Sequence, residues 1–245
     1  MSKTVILIPS RLSATRLPGK PLLKINGVSI ISHVVKKAKE ADIGDVYVAT
    51  EDKEILDDVH LNEGKAILTS NKHKTGSDRI FECFEKLDLK NIDYIINLQG
   101  DEPNIDINDI KNLNKLAHIN KPEIGTLGSE IKDKDSLNNE NIVKVITESK
   151  ITDVNFPIAK DFKRKLKNLE LNTYHHLGIY AYKPEVLKKI IKLEQTNNEI
   201  KNRLEQLRAM ENRIKINVGL AKNCPIGIDT MEDYVALKKI LEYKS

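Results

Sequence analysis

Thr4-Val-Ile-Leu-Ile-Pro9 is a β-branched apolar run of strand length, and it breaks at once into the polar loop Ser10-Arg-Leu-Ser-Ala-Thr-Arg-Leu-Pro-Gly-Lys-Pro-Leu22. Beyond the loop, Ile30–Glu40 carries Ile31, Val34, Val35 and Ala38 at helical spacing. The alternation continues. Asp45–Thr50 reads as a strand, Lys53–Asn62 as a helix and Ala66–Thr69 as a strand. Asp78–Leu87 follows as a helix with Ile80, Phe81 and Phe84 on one side, and then Tyr94–Leu98 as a strand. Strands separated by helices predict an α/β fold with a mostly parallel, Rossmann-like sheet covered on both faces. Such sheets bind ligands beyond the carboxyl ends of their strands, so the residues just after each strand carry the functional reading.

The second half changes character. Thr126–Ile131, Ile142–Glu148 and Gly178–Tyr182 read as strands, without regular helices between the first two. They predict a smaller antiparallel extension within roughly residues 125–185, on the substrate side or at a dimer interface. Pro184–Leu193 and Glu199–Asn212 read as helices, Lys215–Ala221 as an alternating strand and Met231–Tyr243 as a closing helix. No Ser/Gly-rich linker divides the chain, so residues 1–245 read as one domain.

The 245 residues include 40 Lys+Arg and 36 Asp+Glu, a net charge of +4 that lacks the strongly basic balance of a nucleic-acid binder. With no Trp and 4% aromatics, base-stacking platforms are not expected. No apolar stretch is long enough to span a membrane. Two cysteines, Cys83 and Cys224, make neither a disulfide framework nor a four-thiolate zinc site, and the cytoplasm is the expected compartment.

The loop after the first strand sets three cations, two hydroxyls and a Pro-Gly turn between Arg11 and Lys20. A phosphate site needs positive charge, unpaired backbone N–H groups and small residues that permit close approach. This loop supplies all three, and it is neither a Walker A loop nor a GxGxxG turn. A solvated basic loop would read the same from charge alone; its position after the first strand favours the phosphate reading.

The loop resembles the R-x-x-S-T-R-x-P-G-K-P-L signature of the sugar-acid cytidylyltransferases, with the hydroxyl one place early, at Ser13 in place of Ala14. The nearest resemblance is to the CMP-KDO synthetase (3-deoxy-manno-octulosonate cytidylyltransferase) family. That family joins CTP and KDO into CMP-KDO and pyrophosphate with Mg²⁺, for lipopolysaccharide synthesis. The resemblance implies a nucleotidyltransferase sheet, a homodimer, and Arg11, Ser13, Arg16 and Lys20 on the CTP phosphates. Lys20 would also serve catalysis.

Further motifs follow in the family's order. His73 and Thr75-Gly-Ser-Asp-Arg79 resemble its H-x-S-G-T-D-R turn, which implies Thr75, Gly76, Ser77 and Arg79 near the nucleotide. Thr75 or Ser77 would equally cap the following helix, and both roles are compatible. Asn97-Leu-Gln-Gly-Asp-Glu-Pro103 resembles N-x-Q-G-D-E-P, implying Asp101 on Mg²⁺ and Gln99 on the sugar acid; Mg²⁺ favours few carboxylates plus phosphate and water, whereas a lone Gly-Asp turn is ordinarily only a turn. His176-Leu-Gly-Ile-Tyr180-Ala-Tyr182 resembles H-L-G-I-Y-x-Y. Adjacent His175 and His176 point to opposite faces of a strand, and Tyr180 shares the face of His176. The resemblance puts both on the sugar acid, although packing alone would account for Tyr180 and Tyr182.

Leu204-Glu-Gln-Leu-Arg208 resembles L-E-Q-L-R on a helix, implying Glu205 and Gln206 at the sugar hydroxyls. Gly227-Ile-Asp-Thr-Met-Glu-Asp233 resembles G-V-D-T-P-E-D, implying Asp229 as the second metal carboxylate and a catalytic residue with Asp101. Thr230 and Asp233 would form a capping box that has no need of Asp229. Two departures, at Phe156-Pro157 and at Asn202, fall where the family pattern would put the sugar side. They leave open another ulosonic acid, such as 8-amino-KDO or a sialic-acid-like sugar. A non-catalytic nucleotide-binding regulator is the remaining alternative, since fold alone never fixes function.

Overall fold

The computed structural model describes residues 3–13, 16–131, 137, 139–166, 168–222, 225 and 227–242; Ala14, Thr15, Cys224 and Tyr243, named above, lie outside them. Strand β1 (Thr4–Ser10) is central in a nine-stranded sheet. It pairs in parallel with β4 (Gly44–Thr50) on one side and β6 (Tyr94–Asn97) on the other. Between lie a two-stranded hairpin, β2 (Lys24–Ile25) with β3 (Val28–Ser29), and edge strand β5 (Ala66–Leu68), parallel to β4. Val5, Ile6, Leu7 and Ile8 are wholly buried. Ile6 and Ile8 pack under α1 (Ile30–Glu40), α2 (Lys53–Leu61) and α4 (Ile107–Asn120). Val5 and Leu7 face α3 (Gly76–Leu87) and α5 (Pro184–Ile190). Two covered faces require a continuous apolar run, each side chain contributing about 1.5–3 kcal/mol.

The second half departs from the expected layout. Thr126–Ile131 belongs to β7 (Ile124–Glu130), which pairs in parallel with β11 (Ile216–Leu220) inside the main sheet. β10 starts at Thr173 and runs to Tyr182, antiparallel to both β7 and β6. Only β8 (Lys144–Thr147) and β9 (Ala159–Lys163) form the extension, held to the first residues of β10. The sheet order is β11-β7-β10-β6-β1-β4-β5. α4 was not expected, although Ile110, Leu113, Leu116 and Ala117 recur at helical spacing on its buried face. The expected helix Glu199–Asn212 is two: α6 (Asn197–Asn202) ends where Arg203 turns left-handed at φ 53°, and α7 (Gln206–Glu211) starts anew. A last helix, α8 (Met231–Glu242), closes the chain.

Two features position the site. β1 and β6 are adjacent, yet the chain leaves them toward opposite edges, so their carboxyl ends open a crevice. β10 passes from pairing with β8 at His175 to pairing with β6 at Tyr180, with an irregularity between Leu177 and Tyr180 that faces the turn after β6. A small separate core of Leu17, Ile25, Ile30, Ile228 and Leu237 then draws the C-terminal segment back over the first loop.

Candidate active site

A cavity of about 300 Å³ opens at the crevice. The end of β1 (Pro9 to Arg11), Lys20 and Pro21, the His73–Gly76 turn with Arg79, and Gln99–Asp101 bound it. The loop that carries Arg11 and Lys20 is closed by Gly19 N–H donating to Leu12 O at 3.0 Å. Gly19 has φ 71°, a left-handed conformation that favours glycine. Lys20 opens a short 3₁₀ turn, Lys20–Leu22, with Pro21 locking its backbone. Arg11 and Lys20 thus share one wall. Ser13 is exposed and outside the cavity lining.

Opposite stands the first turn of α3. Thr75 is its cap: Thr75 Oγ1 accepts from Asp78 N at 3.3 Å and Asp78 Oδ2 accepts from Thr75 N at 3.1 Å. Ser77, inside the helix and buried, lies behind this turn and outside the cavity lining. Arg79 reaches the cavity but is buried and ion-paired with Glu51, and it donates to Thr69 Oγ1 at 2.8 Å. Its charge is compensated, so it braces the wall and leaves the net positive field there to Arg11 and Lys74. His73 also lines the cavity and pairs with Glu82.

The two aspartates converge. Ile228 N–H donates to Asp101 O at 3.1 Å, tying the turn after β6 to the segment before α8. Lys20 Nζ lies 2.7 Å from Asp101 Oδ2 and 3.6 Å from Asp229 Oδ1. Arg16 Nη2 contacts the same Asp229 oxygen at 2.8 Å. Thr230 and Asp233 form the capping pair, Thr230 N donating to Asp233 Oδ2 at 2.9 Å and Asp233 N to Thr230 Oγ1 at 3.2 Å. Asp229 takes no part in it with its carboxylate. Two carboxylates facing one cationic point, beside a phosphate-sized basic cavity, suit Mg²⁺, which needs few protein ligands. Among the described residues no cluster of three or more His, Cys, Asp or Glu forms a fuller cage. Beside the pair, burial together with the Asp101 and Asp229 charges pushes the Glu102 carboxyl up to about 8, against the pull of Lys20. Glu102 Oε2 is buried without a hydrogen-bond partner.

The residues read for the sugar acid do not form one open pocket. Gln99 lines the cavity and donates from Nε2 to Gly178 O at 2.9 Å. Tyr180, Glu205 and Gln206 lie behind the first turn of α3, and His176 lies apart from them toward Thr126 and Phe162. His176 is buried edge-on to Phe162, 5.4 Å from the Tyr180 ring, with Nε2 3.0 Å from Thr126 Oγ1. The Thr126 hydroxyl donates to Ile179 O at 2.7 Å, which leaves His176 Nε2 as the donor between them. Burial lowers the His176 pKa to about 3, so the ring is neutral. Tyr180, Glu205 and Gln206 border a smaller cavity with Ser77. Glu205 is the residue before α7 rather than part of a helix, and burial raises its pKa while Ser77 and Arg208 oppose the shift. The first turn of α3 is therefore the partition between the two groups.

Phe156 is a correction to the sequence reading. It is a core side chain, packed where Gly125 and Gly219 leave room, and not part of the sugar side. The Asn202 side chain donates to Asn198 O at 2.9 Å within its own helix, and its backbone carbonyl accepts from Arg164 Nε at 2.7 Å. Arg164 was missed. It also donates to Arg203 O and Glu140 O, each at 2.9 Å, and burial, then Arg16 and Arg203, lower its pKa while Asp229 raises it. Sequence offered no signal for it, because it follows β9, itself unrecognised. Lys74 and His73 were visible as the residues preceding a helix cap at a strand's end.

The family model described as cytidylyltransferase matches residues 5–216. A 3-deoxy-manno-octulosonate cytidylyltransferase of Thermodesulfovibrio yellowstonii is 42% identical over 97% of this chain and 98% of its own. One from Nitrobacter winogradskyi is 39% identical over 98% and 94%. A solved CMP:2-keto-3-deoxy-manno-octonic acid synthetase complexed with CTP superposes with a TM-score of 0.89 at 34% identity, covering 100% of both chains.

Proposed function

This chain belongs to the 3-deoxy-manno-octulosonate cytidylyltransferase family, and from that premise we propose that it joins CTP and KDO into CMP-KDO and pyrophosphate. The observation that carries the reading is the convergence of Asp101 and Asp229 on one cationic point beside the Arg11–Lys20 wall. The anomeric hydroxyl of the sugar acid attacks the α-phosphorus in line, and pyrophosphate leaves. The barrier is repulsion between anions and charge developing on phosphate oxygens, so positioning and cations are the remedy. Arg11 and Lys20 neutralise the departing pyrophosphate. Thr75 and Gly76 present the N-terminus of α3 toward the nucleotide. Gln99, on the open cavity, orients the sugar acid, and Tyr180, Glu205 and Gln206 back the wall behind the first turn of α3. His176, neutral and donating its Nε2–H to Thr126, holds β10 against β7 rather than transferring protons.

Asp101 and Asp229 would hold Mg²⁺. When bound, that ion supplies Lewis-acid stabilisation of phosphate charge and a lowered pKa for the attacking hydroxyl. The same reading makes the protein a homodimer, supported by exposed Leu169 and Leu171 beside the β8–β9 extension. Its compartment is the cytoplasm, where nucleoside triphosphates are held, and its product feeds lipopolysaccharide synthesis. No helix among the described residues is long and apolar enough to cross a membrane.

Pyrophosphate release measured with CTP, Mg²⁺ and KDO tests this, with UTP and ATP in place of CTP as controls. Turnover with CTP and KDO above all other pairs is the expected result. Preference for 8-amino-KDO or a sialic-acid-like sugar would keep the chemistry and move the specificity. CTP binding with no turnover on any acid would leave only a nucleotide-binding regulator.

A further inference from the structure

Lys20 stands in two places at once: its side chain lines the anion cavity with Arg11, and its ammonium bridges the two aspartates. Its side chain is only 12% exposed, whereas the Arg16 side chain, on the same Asp229 oxygen, is 56% exposed. Counting charge, the Asp101 and Asp229 carboxylates are balanced by one ammonium and one guanidinium. A divalent ion added to that balanced cluster brings two uncompensated positive charges within a few ångströms of Lys20 and Arg16. At such distances like charges repel, and the repulsion grows several-fold where solvent is partly excluded. The same ion arriving with a triphosphate brings its own anion, and the two side chains then have phosphate oxygens to move to.

We propose that Lys20 and Arg16 are internal counter-cations of the Asp101–Asp229 pair, which compete with the divalent ion and release the carboxylates to it only when nucleotide phosphates take them up. The proposal rests on reading Asp101 and Asp229 as the metal carboxylates. Its consequence is a partner exchange: two side chain–carboxylate pairs become side chain–phosphate pairs as the carboxylates pass to the ion. Metal and nucleotide are then coupled, and by linkage each tightens the other to the same extent. Lys20 carries the larger share, since it touches both aspartates and is the better shielded from solvent.

Mn²⁺ binding, read from the loss of the free-ion electron paramagnetic resonance signal, tests this without turnover. The wild-type chain alone should bind Mn²⁺ weakly, and Lys20→Gln alone should bind it on the order of tenfold more tightly, within the range of coupled sites. Arg16→Gln, at an exposed position where folding is not at stake, should shift it in the same direction by less. Lys20→Gln and Arg16→Gln proteins that hold Mn²⁺ no more tightly than wild type would overturn the counter-cation role. Asp101→Asn/Asp229→Asn tested with CTP separates the two layers. Mn²⁺ binding above that of CTP alone, retained in this double variant, would instead overturn the metal assignment beneath the proposal.

Discussion

Lys20 Nζ donates to Asp101 Oδ2 at 2.7 Å although the two residues are 81 positions apart, and the contact joins the loop after β1 to the turn after β6. Adjacent parallel strands make that possible: Leu7 and Asn97 are in register, and both loops leave the same end of the sheet. Replacing Lys20 by Ala removes the cation that the anion cavity shares with this pair. CTP affinity should fall roughly ten- to hundredfold, the worth of one charge-assisted hydrogen bond, while sugar-acid affinity changes much less. Isothermal titration with each substrate decides it, and equal losses for both would refute the assignment.

Asp229→Asn should abolish Mg²⁺-dependent pyrophosphate release and retain CTP binding in part. The cap of α8 depends on Thr230 and Asp233, so thermal stability should move little. An active, folded Asp229→Asn protein would rule out the metal role.

Glu199 and Arg208 form a buried pair, with Arg208 Nε 2.8 Å from Glu199 Oε2. Glu199 also closes the capping box of α6 with Thr196. Glu199→Ala strands a buried guanidinium, and a loss of about 3–5 kcal/mol is expected. Urea unfolding measures it. A change below about 1 kcal/mol would show that the α6–α7 segment is not anchored there.

Burial lowers the His176 pKa from 6.5 to about 3. The unfolded chain therefore binds this proton first as pH falls. The stability associated with the neutral ring is present above pH 6.5 and is lost progressively between there and about pH 3. His176→Gln lacks this proton uptake. The stability gap between wild type and His176→Gln should change in the variant's favour by about 1.4 kcal/mol per pH unit on acidification below 6. Parallel urea midpoints from pH 7 to pH 4 would count against a buried neutral ring.

A Cβ at Gly178 would stand 3.1 Å from Gln99 Cγ, tighter than ordinary contact. Gln99 is held there by its bond to the Gly178 carbonyl, so Gly178→Ala should displace its amide. The expected kinetic signature is a raised KM for the sugar acid with the KM for CTP nearly unchanged. An equal rise in both would mean that the substitution disturbs the whole β6 turn.

The sequence by itself determined the sheet's first half, because strands buried on both faces must be continuous apolar runs, and Thr4–Pro9 and Tyr94–Leu98 are. It placed Arg11 and Lys20 in the loop after the first strand and Asp101 at a strand's end as well, whereas Asp229 stood out only through the resemblance of Gly227–Asp233 to a family motif. Those are local properties of short segments. Tertiary structure alone decided that β7 and β10 join the main sheet, since β10 is a single ten-residue strand whose two halves serve different partners. It decided that Phe156 is core, that Arg203 breaks a helix, and that the first turn of α3 divides Gln99 from Tyr180, Glu205 and Gln206. It also decided that one ammonium spans both aspartates. Each of these depends on which distant surfaces meet, and pairing energy between segments far apart in the chain is not written in the periodicity of either one.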